Sequence, residues 1–357
     1  MNVYPATGLL YGNHPHHLDH LATLCALLKI PLVVTEPEIA RQATVYYPKL
    51  VVRYIGPTAL PRELLRSYRV IFSALPRDIL DRILLFAEQA SGRRVSNIWV
   101  PHGNSDKGYR CDMAGGLARE RALLVYGQKM VNFFKENRIS GGTVIRTGNY
   151  RYRFYLAHRT FYADLTKKEV TSKLPKGEKT VLYAPTWEDA EHSSSLKTAW
   201  PHLIRTLPDR WNLIVKLHPN QEADVFGTET LLADVKGKKN VLILRAFPPV
   251  YALSDMADIY LGDMSSIGYD FLTFRKPMFF LNENGRDPQT DKGLFLYRCG
   301  ESIDRGDYST VFRRMAGKPK VLRKTQDAVY DYAFDTPPAR GGVIRHPEEA
   351  YVWLLPS

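Results

Sequence analysis

The sequence predicts an α/β protein built from two doubly wound domains facing each other across a cleft. Three observations carry that expectation. First, 357 residues exceed what a single hydrophobic core comfortably organises. Second, from about Lys179 five short apolar runs, "TVLYAPTW", "WNLIVKLHP", "NVLILRAF", "ADIYLGD" and "KPMFFLN", each end at a polar or proline-bearing corner. Near-continuous runs of Val, Ile, Leu, Tyr and Phe at that length are strands buried on both faces, as in a parallel sheet covered by helices. Third, the first 150 residues repeat the rhythm with "TGLLYG", "IPLVVTEP", "LVVRYIG", "YRVIFSAL", "NIWVPHG", "ALLVYGQ" and "TVIRTGN".

Between the two sets lies "RTFYADLTKKEVTSKLPKGEK", helix-like and then linker-like. The expected boundaries are therefore 1–155 for the first domain, 156–178 for a linker and 179–340 for the second domain. The tail 341–357, ending "IRHPEEAYVWLLPS", reads as an amphipathic helix that packs back on the first domain. No repeat of 20–50 residues and no low-complexity tract interrupts the pattern. Open α/β sheets bind ligands beyond the carboxyl ends of their strands, so the residues just after each strand are the place to look for chemistry.

Composition narrows the setting. Hydrophobic residues make up 45% and charged residues 24%, ordinary for a soluble protein, and no apolar run approaches a membrane span. The N-terminus lacks the basic flank and long apolar core of a signal peptide. Three well-separated cysteines, Cys25, Cys111 and Cys299, suggest reduced thiols in a cytoplasmic protein. The formal charge of +12 implies an anionic partner: a phosphate-rich substrate, a lipid headgroup surface or nucleic acid. The basic clusters lack the aromatic interleaving of an RNA-binding sheet, so no nucleic-acid partner is expected.

Four strand ends stand out. "LGDMSSIGYDFL" places Asp263, Ser265 and Ser266 between a strand and a helix. Free N–H groups and small hydroxyls at such a start favour phosphate, although a serine there is commonly just an N-cap. Asp263 is suited to orienting a loop or capping the helix. His218 emerges where "VKLHPN" ends on proline. "VPHGNSDKG" puts His102 at another strand end, with Gly103 allowing close approach and Asn104, Asp106 and Lys107 following. Thr186, Trp187 and Glu188 follow the strand "VLYA", and "PTWEDAEHSSS" has the composition of a mobile loop over a site.

Here the chain resembles a known family. "VLYAPTW", "VKLHPN" and "YLGDMSSIGYDFLTFRKPMFF", in that order, are similar to the CDP-glycerol glycerophosphotransferases, which include the teichoic acid glycerol phosphate primases and polymerases. "PHGNSDKG" resembles the family's histidine-glycine segment, and "TGNYRY" a Gly-Asn turn. The resemblance implies a GT-B fold of two Rossmann-like domains, with no metal or other cofactor required. It further implies that His102 is the general base, that His218 contacts the transferred phosphate, and that Ser265 and Ser266 hold the donor phosphates with Asp263 shaping the turn. The implied reaction moves glycerol phosphate, or another polyol phosphate, from a CDP-activated donor to a hydroxyl of a phosphorylated or lipid-linked glycan. Its setting would be the inner face of the cell membrane, with peripheral contact to anionic lipid. "VPHGNSDKG" differs from the Trp-His-Gly-Thr-Pro segment of the polymerases, which bears on the acceptor. No Asp-x-Asp and no lysine-tipped phosphate loop occurs, consistent with metal-free neutralisation of phosphate.

Two other readings stay open at this point: a nucleotide-sugar glycosyltransferase or UDP-sugar 2-epimerase of the same fold, and a non-catalytic module for anionic lipids or polymers. The cluster "NHPHHLDH" offers His14, His16, His17 and His20; capping or solvated roles, acceptor contact by His16 and His17, and a zinc pair compete there. Arg146, Arg151 and Arg153 are candidates for acceptor phosphates.

Overall fold

The computed structural model describes residues 6–107, 116–188, 191–222, 225–317 and 319–335. The chain divides into two compact units. The first comprises residues 1–104, 110–158 and 331–357; the second comprises 105–109 and 159–330.

The first unit is a seven-stranded sheet, every pairing parallel, in the order β3-β2-β1-β4-β5-β6-β7. Its strands are β1 (Ala6–Leu10), β2 (Leu32–Val34), β3 (Val52–Tyr54), β4 (Val70–Ser73), β5 (Ser96–Trp99), β6 (Ala122–Val125) and β7 (Thr143–Arg146). All seven coincide with apolar runs in the sequence; the inner strands are buried on both faces and leave a local signature, while the edge strands β3 and β7 are largely exposed. Leu9, Val33 and Ile71 from the sheet meet Leu60, Leu64, Leu80 and Leu84 from the helices Leu60–Ser67 and Arg77–Ser91. β1 lies in mid-sheet and is buried throughout. Gly8 at its centre is required by packing: a Cβ there would sit 2.2 Å from Cys25 Sγ, on the helix Pro15–Leu28.

The second unit is a six-stranded parallel sheet in the order β10-β9-β8-β11-β12-β13. Its strands are β8 (Lys179–Ala184), β9 (Trp211–Lys216), β10 (Val241–Leu244), β11 (Ile259–Gly262), β12 (Met278–Asn282) and β13 (Glu301–Asp304). Both sheets reverse strand order beside their first strand, the doubly wound arrangement of a Rossmann-like fold. The second core gathers Val181, Tyr183, Leu213, Val215, Leu261 and Phe279 against Trp200, Leu203 and Phe312.

The second unit starts earlier than expected, and one strand lacks an apolar run. The segment 156–178, read as a linker, contains the helix Arg159–Glu169 and a 3-10 turn at Thr171–Lys173, and it belongs to the second unit from Arg159 onward. β13 went unrecognised, since "ESID" is short and polar and lies at the sheet edge. The 341–357 tail lies outside the described residues. The described chain ends after the helix Arg323–Phe334, whose last residues already belong to the first unit. Asp335 there accepts the Gln128 N–H at 2.8 Å and pairs with Arg146 at 3.0 Å.

Candidate active site

In the second unit, β8 and β11 are paired neighbours, and Ala184 stands opposite Gly262. The segments that follow them therefore leave the sheet side by side. Asp263 is fully buried at this corner. One carboxylate oxygen accepts the Thr186 N–H at 2.7 Å; the other accepts the Ser195 N–H at 2.9 Å and the Ser195 hydroxyl at 2.7 Å. Burial pushes the Asp263 pKa up to about 6, while the donors from Ser195 and Thr186 and the charge of Lys107 resist that rise. Asp263 is thus no phosphate contact. Its oxygens face the 186–195 loop and fix both ends of it, which is the turn-shaping role and not the donor-phosphate role.

Ser265 is largely buried and Ser266 is partly open. Ser266, not Ser265, is the N-cap of the helix Ile267–Phe271, and its hydroxyl makes no capping hydrogen bond. The capping explanation for the serine pair therefore fails. The helix has only five residues before a 3-10 turn at Leu272–Phe274, too short for much of a macrodipole. The Gly268 and Tyr269 amides of its first turn already donate to the Ser265 and Ser266 carbonyls at 3.2 and 3.1 Å, so what the corner offers an anion is its serine hydroxyls. Lys276, in the same motif, donates to the carbonyls of Ser254, Asp255 and Ala257 and so caps the end of the helix Val250–Met256.

His218 follows β9. Its Nδ1 accepts the Asn220 N–H at 3.1 Å, so in the neutral ring Nε2 carries the proton and acts as a donor. The Trp187 ring, 39% exposed, lies 6.3 Å from the His218 ring. Lys107 belongs to this same unit. Its ammonium donates to the Thr186 hydroxyl and stands 6.0 Å from the centre of the Trp187 ring. Asp106 beside it is buried, accepting from the Tyr269 hydroxyl at 2.5 Å and the Leu296 N–H at 3.0 Å. That carboxylate anchors its segment to the second unit, leaving Lys107 as the residue able to offer charge. Glu188 is exposed and pairs with His192 at 3.1 Å.

In the first unit, His102 lies three residues beyond β5 and joins the histidines that open the helix Pro15–Leu28. Its ring is 4.7 Å from that of His17 and 6.0 Å from that of His16; His14 is 5.3 Å from His17. The sequence suggested His102 and the His14–His20 cluster separately, and the fold brings them together. His17 is buried, and desolvation with the nearby His102, His16 and His14 drives its pKa far down. His102 is crowded by surrounding atoms yet keeps accessible surface; that crowding, then His14, lowers its pKa as well. Because the ring is still wetted, its desolvation is the milder of the two. Both imidazoles are in the basic form at neutral pH. Among the described residues no three His, Cys, Asp or Glu side chains converge as metal ligands would.

Gly103 has φ +134°, a region that favours glycine, so the turn after His102 needs this residue. Asn104 is buried and donates to the Ala333 carbonyl at 3.3 Å, a structural role. One of the arginine expectations is also corrected. Arg146 is held by Asp335 and Gln128. Arg151 is buried, with its Nε 3.1 Å from Asp19. Arg151 is therefore not presented to an acceptor, whereas Arg146 stays exposed beside its partners. The sequence reading overlooked Ser195 and Tyr126, whose polar contacts arise only from strand adjacency.

Residues 118–297, half of the chain, match the family described as CDP-Glycerol:Poly(glycerophosphate) glycerophosphotransferase. The chain belongs to this family. Of the candidate residues, Arg146, Thr186, Trp187, Glu188, His218, Asp263, Ser265 and Ser266 fall inside the family match, whereas His16, His17, His102, Gly103, Asn104 and Lys107 precede it. A teichoic acid glycerol-phosphate primase from Bacillus spizizenii is 30% identical over 179 residues, covering 49% of this chain and 43% of the primase. The chain spans less than half the length of the curated relatives it matches first. Among solved structures, the wall teichoic acid polymerase TagF aligns with a TM-score of 0.65 at 17% identity, over 98% of this chain and 88% of that one. A Staphylococcus aureus MnaA–UDP co-structure aligns with a TM-score of 0.62 at 11% identity, over 92% of each chain. At such identities the likeness is one of fold: two Rossmann-like units in tandem.

Proposed function

We propose that this member of the glycerophosphotransferase family transfers a polyol phosphate, in the simplest case glycerol phosphate, from a CDP-activated donor to a hydroxyl of a phosphorylated or lipid-linked glycan. The observation that carries the proposal is the family match over 118–297, which contains the Asp263–Ser266 corner and His218. The acceptor oxygen forms a bond to the β-phosphorus of the donor, the bridging P–O bond breaks, and CMP leaves with the electron pair. His102, unprotonated at neutral pH, takes the hydroxyl proton. His218 Nε2–H, the Ser265 and Ser266 hydroxyls and the Lys107 ammonium bear the charge on the phosphoryl oxygens. Positioning and electrostatics supply the rate enhancement, as in phosphoryl transfer generally. Asp263 serves indirectly, by holding Thr186 and its loop in place. The MnaA–UDP and TagF likenesses are equally fold-level, so it is the family match that favours a CDP over a UDP donor.

The acceptor is proposed to be reached at an anionic membrane surface. No helix among the described residues is long and apolar enough to cross a membrane. Arg62 and Arg66 of the helix Leu60–Ser67, and Arg93 just after the helix Arg77–Ser91, line a shallow depression with Leu65, Ala87 and Ala90. Basic side chains around an apolar depression suit acidic headgroups.

The test is donor turnover. His102→Ala should still be stabilised by CDP-glycerol in a thermal-shift assay but release no CMP; undiminished release would refute the base assignment. Stabilisation by UDP alone, among CDP, CMP, UDP and GDP, would transfer the proposal to a sugar nucleotide.

A further inference from the structure

Behind His102 the first unit contains a buried polar chain that the proposed reaction does not use directly. Asp19, His20, Tyr126 and Arg151 are all buried. Asp19 accepts from the Tyr47 hydroxyl at 2.9 Å and from Arg151 Nε at 3.1 Å. Arg151 Nη1 lies 3.2 and 3.3 Å from the two ring nitrogens of His20. His20 Nδ1 is 2.5 Å from the Tyr126 hydroxyl oxygen, which is itself 3.0 Å from the carbonyl oxygen of Pro101.

One proton assignment satisfies both His20 and Pro101 as neighbours of the Tyr126 oxygen. A carbonyl only accepts, so the single Tyr126 O–H proton goes to Pro101. His20 must then donate from Nδ1 to the Tyr126 oxygen, and its Nε2 accepts from Arg151. In the opposite tautomer the Tyr126 proton would turn to Nδ1 and Pro101 would lose its donor; Arg151 Nη1, nearly equidistant from both ring nitrogens, does not choose between them. Burial and the Arg151 charge both keep His20 from taking a second proton, so the order is stable at neutral pH. The Tyr150 hydroxyl, donating to the His20 carbonyl at 3.1 Å, and the Tyr126–Tyr150 stack secure the chain from the side.

Pro101 directly precedes His102. We propose that Tyr126, oriented by His20 and Arg151, is a positioning residue that holds the Pro101 carbonyl and thereby sets the place of the His102 ring. This inference rests on the reading of His102 as the base. It assigns Tyr126 no contact with substrate; a hydroxyl removed here acts at one remove, by loosening a peptide that should be fixed to a fraction of an ångström.

The experiment combines kinetics with nitrogen-15 spectra of histidine-labelled protein. Tyr126→Phe should lower kcat about tenfold, leave KM for the donor within about twofold, and shift the His102 ring resonances; misplacing a reacting group by a fraction of an ångström costs this order. Combined with His102→Asn it should cause no further loss. In the parent, His20 should show a protonated Nδ1 and a bare Nε2. His20→Asn, whose amide can replace the Nδ1–H donor, should retain several-fold more activity than His20→Leu, a contrast that stands even if one variant folds poorly. Parent-like turnover in Tyr126→Phe, or a loss that multiplies with that of His102→Asn, would overturn the inference. Full turnover in His102→Asn alone would instead overturn the base assignment. In that event unshifted His102 resonances in Tyr126→Phe would remove the positioning role too, and shifted ones would keep it as a structural one.

Discussion

The strand-end corners of the two units solve opposite problems with the same physics. In the first, imidazoles gather: His14, His16, His17 and His102 crowd together, and mutual repulsion with burial keeps the inner rings neutral. In the second, a carboxylate is sunk below hydroxyls and amides, and burial raises its pKa. Desolvation disfavours charge in both places. The result in the first is a set of proton acceptors, and in the second a braced turn that leaves its surface to donors. The proposed base and the proposed anion cradle thus both adjoin groups whose own charges have been suppressed.

The sharpest way to break this contrast is to remove the base. His102→Asn should reduce turnover by about a thousandfold with donor affinity retained, as measured by CMP release and by calorimetric titration with CDP-glycerol. Loss of donor binding instead would move His102 to the cradle side of the comparison.

Next in size is pH. His17 and His20 are held below their ordinary 6.5, so the unfolded chain binds more protons than the folded one, and their contribution to stability is lost as pH falls below about 6.5. Asp263 has the opposite sign. Its folded value near 6 exceeds the ordinary 3.8, so its contribution is present below about pH 4 and lost as pH rises through about 6, on the order of 3 kcal/mol. Amide hydrogen exchange, corrected for intrinsic rates, should show between pH 4 and 6 a first unit that gains protection with rising pH. The Asp263 contribution should appear in the second unit as the difference from Asp263→Asn, in which the opposing slope is absent. Slopes of the same sign would mean that the buried groups are not neutral as described.

Ser266→Ala comes third. It should weaken donor affinity about tenfold, the worth of one hydrogen bond to a charged oxygen, without altering thermal stability, because the hydroxyl makes no capping bond. A drop in melting temperature with unchanged affinity would restore the capping explanation. The smallest effect belongs to Glu188→Gln. An exposed pair with His192 is worth little, so turnover and stability should both stay within about twofold of the parent.

The fold was largely legible because its signals are local. "GLL", "VIFS" and "LIVK" are apolar on both faces, and the corners after them carry Gly, Pro, Asp or Ser; no long-range contact is needed to recognise them. The polar edge strand Glu301–Asp304 carried no such signal. The candidate site was legible as residue types but not as roles. Asp263, Asp106 and Lys276 stand in chemistry-bearing motifs and prove to be internal fasteners. Arg151 reads as a surface cation and lies buried on Asp19. Burial depends on which strands adjoin, and sequence spacing does not report that.

By itself, then, the sequence determined two runs of parallel strands, a histidine at one strand end in each unit, and a serine pair poised at a helix start. These follow from hydrophobic periodicity and turn chemistry, which act over a few residues. Only the tertiary structure decided that His102 joins His16 and His17, that Asp263 turns inward to Thr186 and Ser195, and that Tyr126 reaches Pro101. Those outcomes depend on desolvation and hydrogen-bond geometry between segments distant in sequence, and such forces exist only once the sheets have formed.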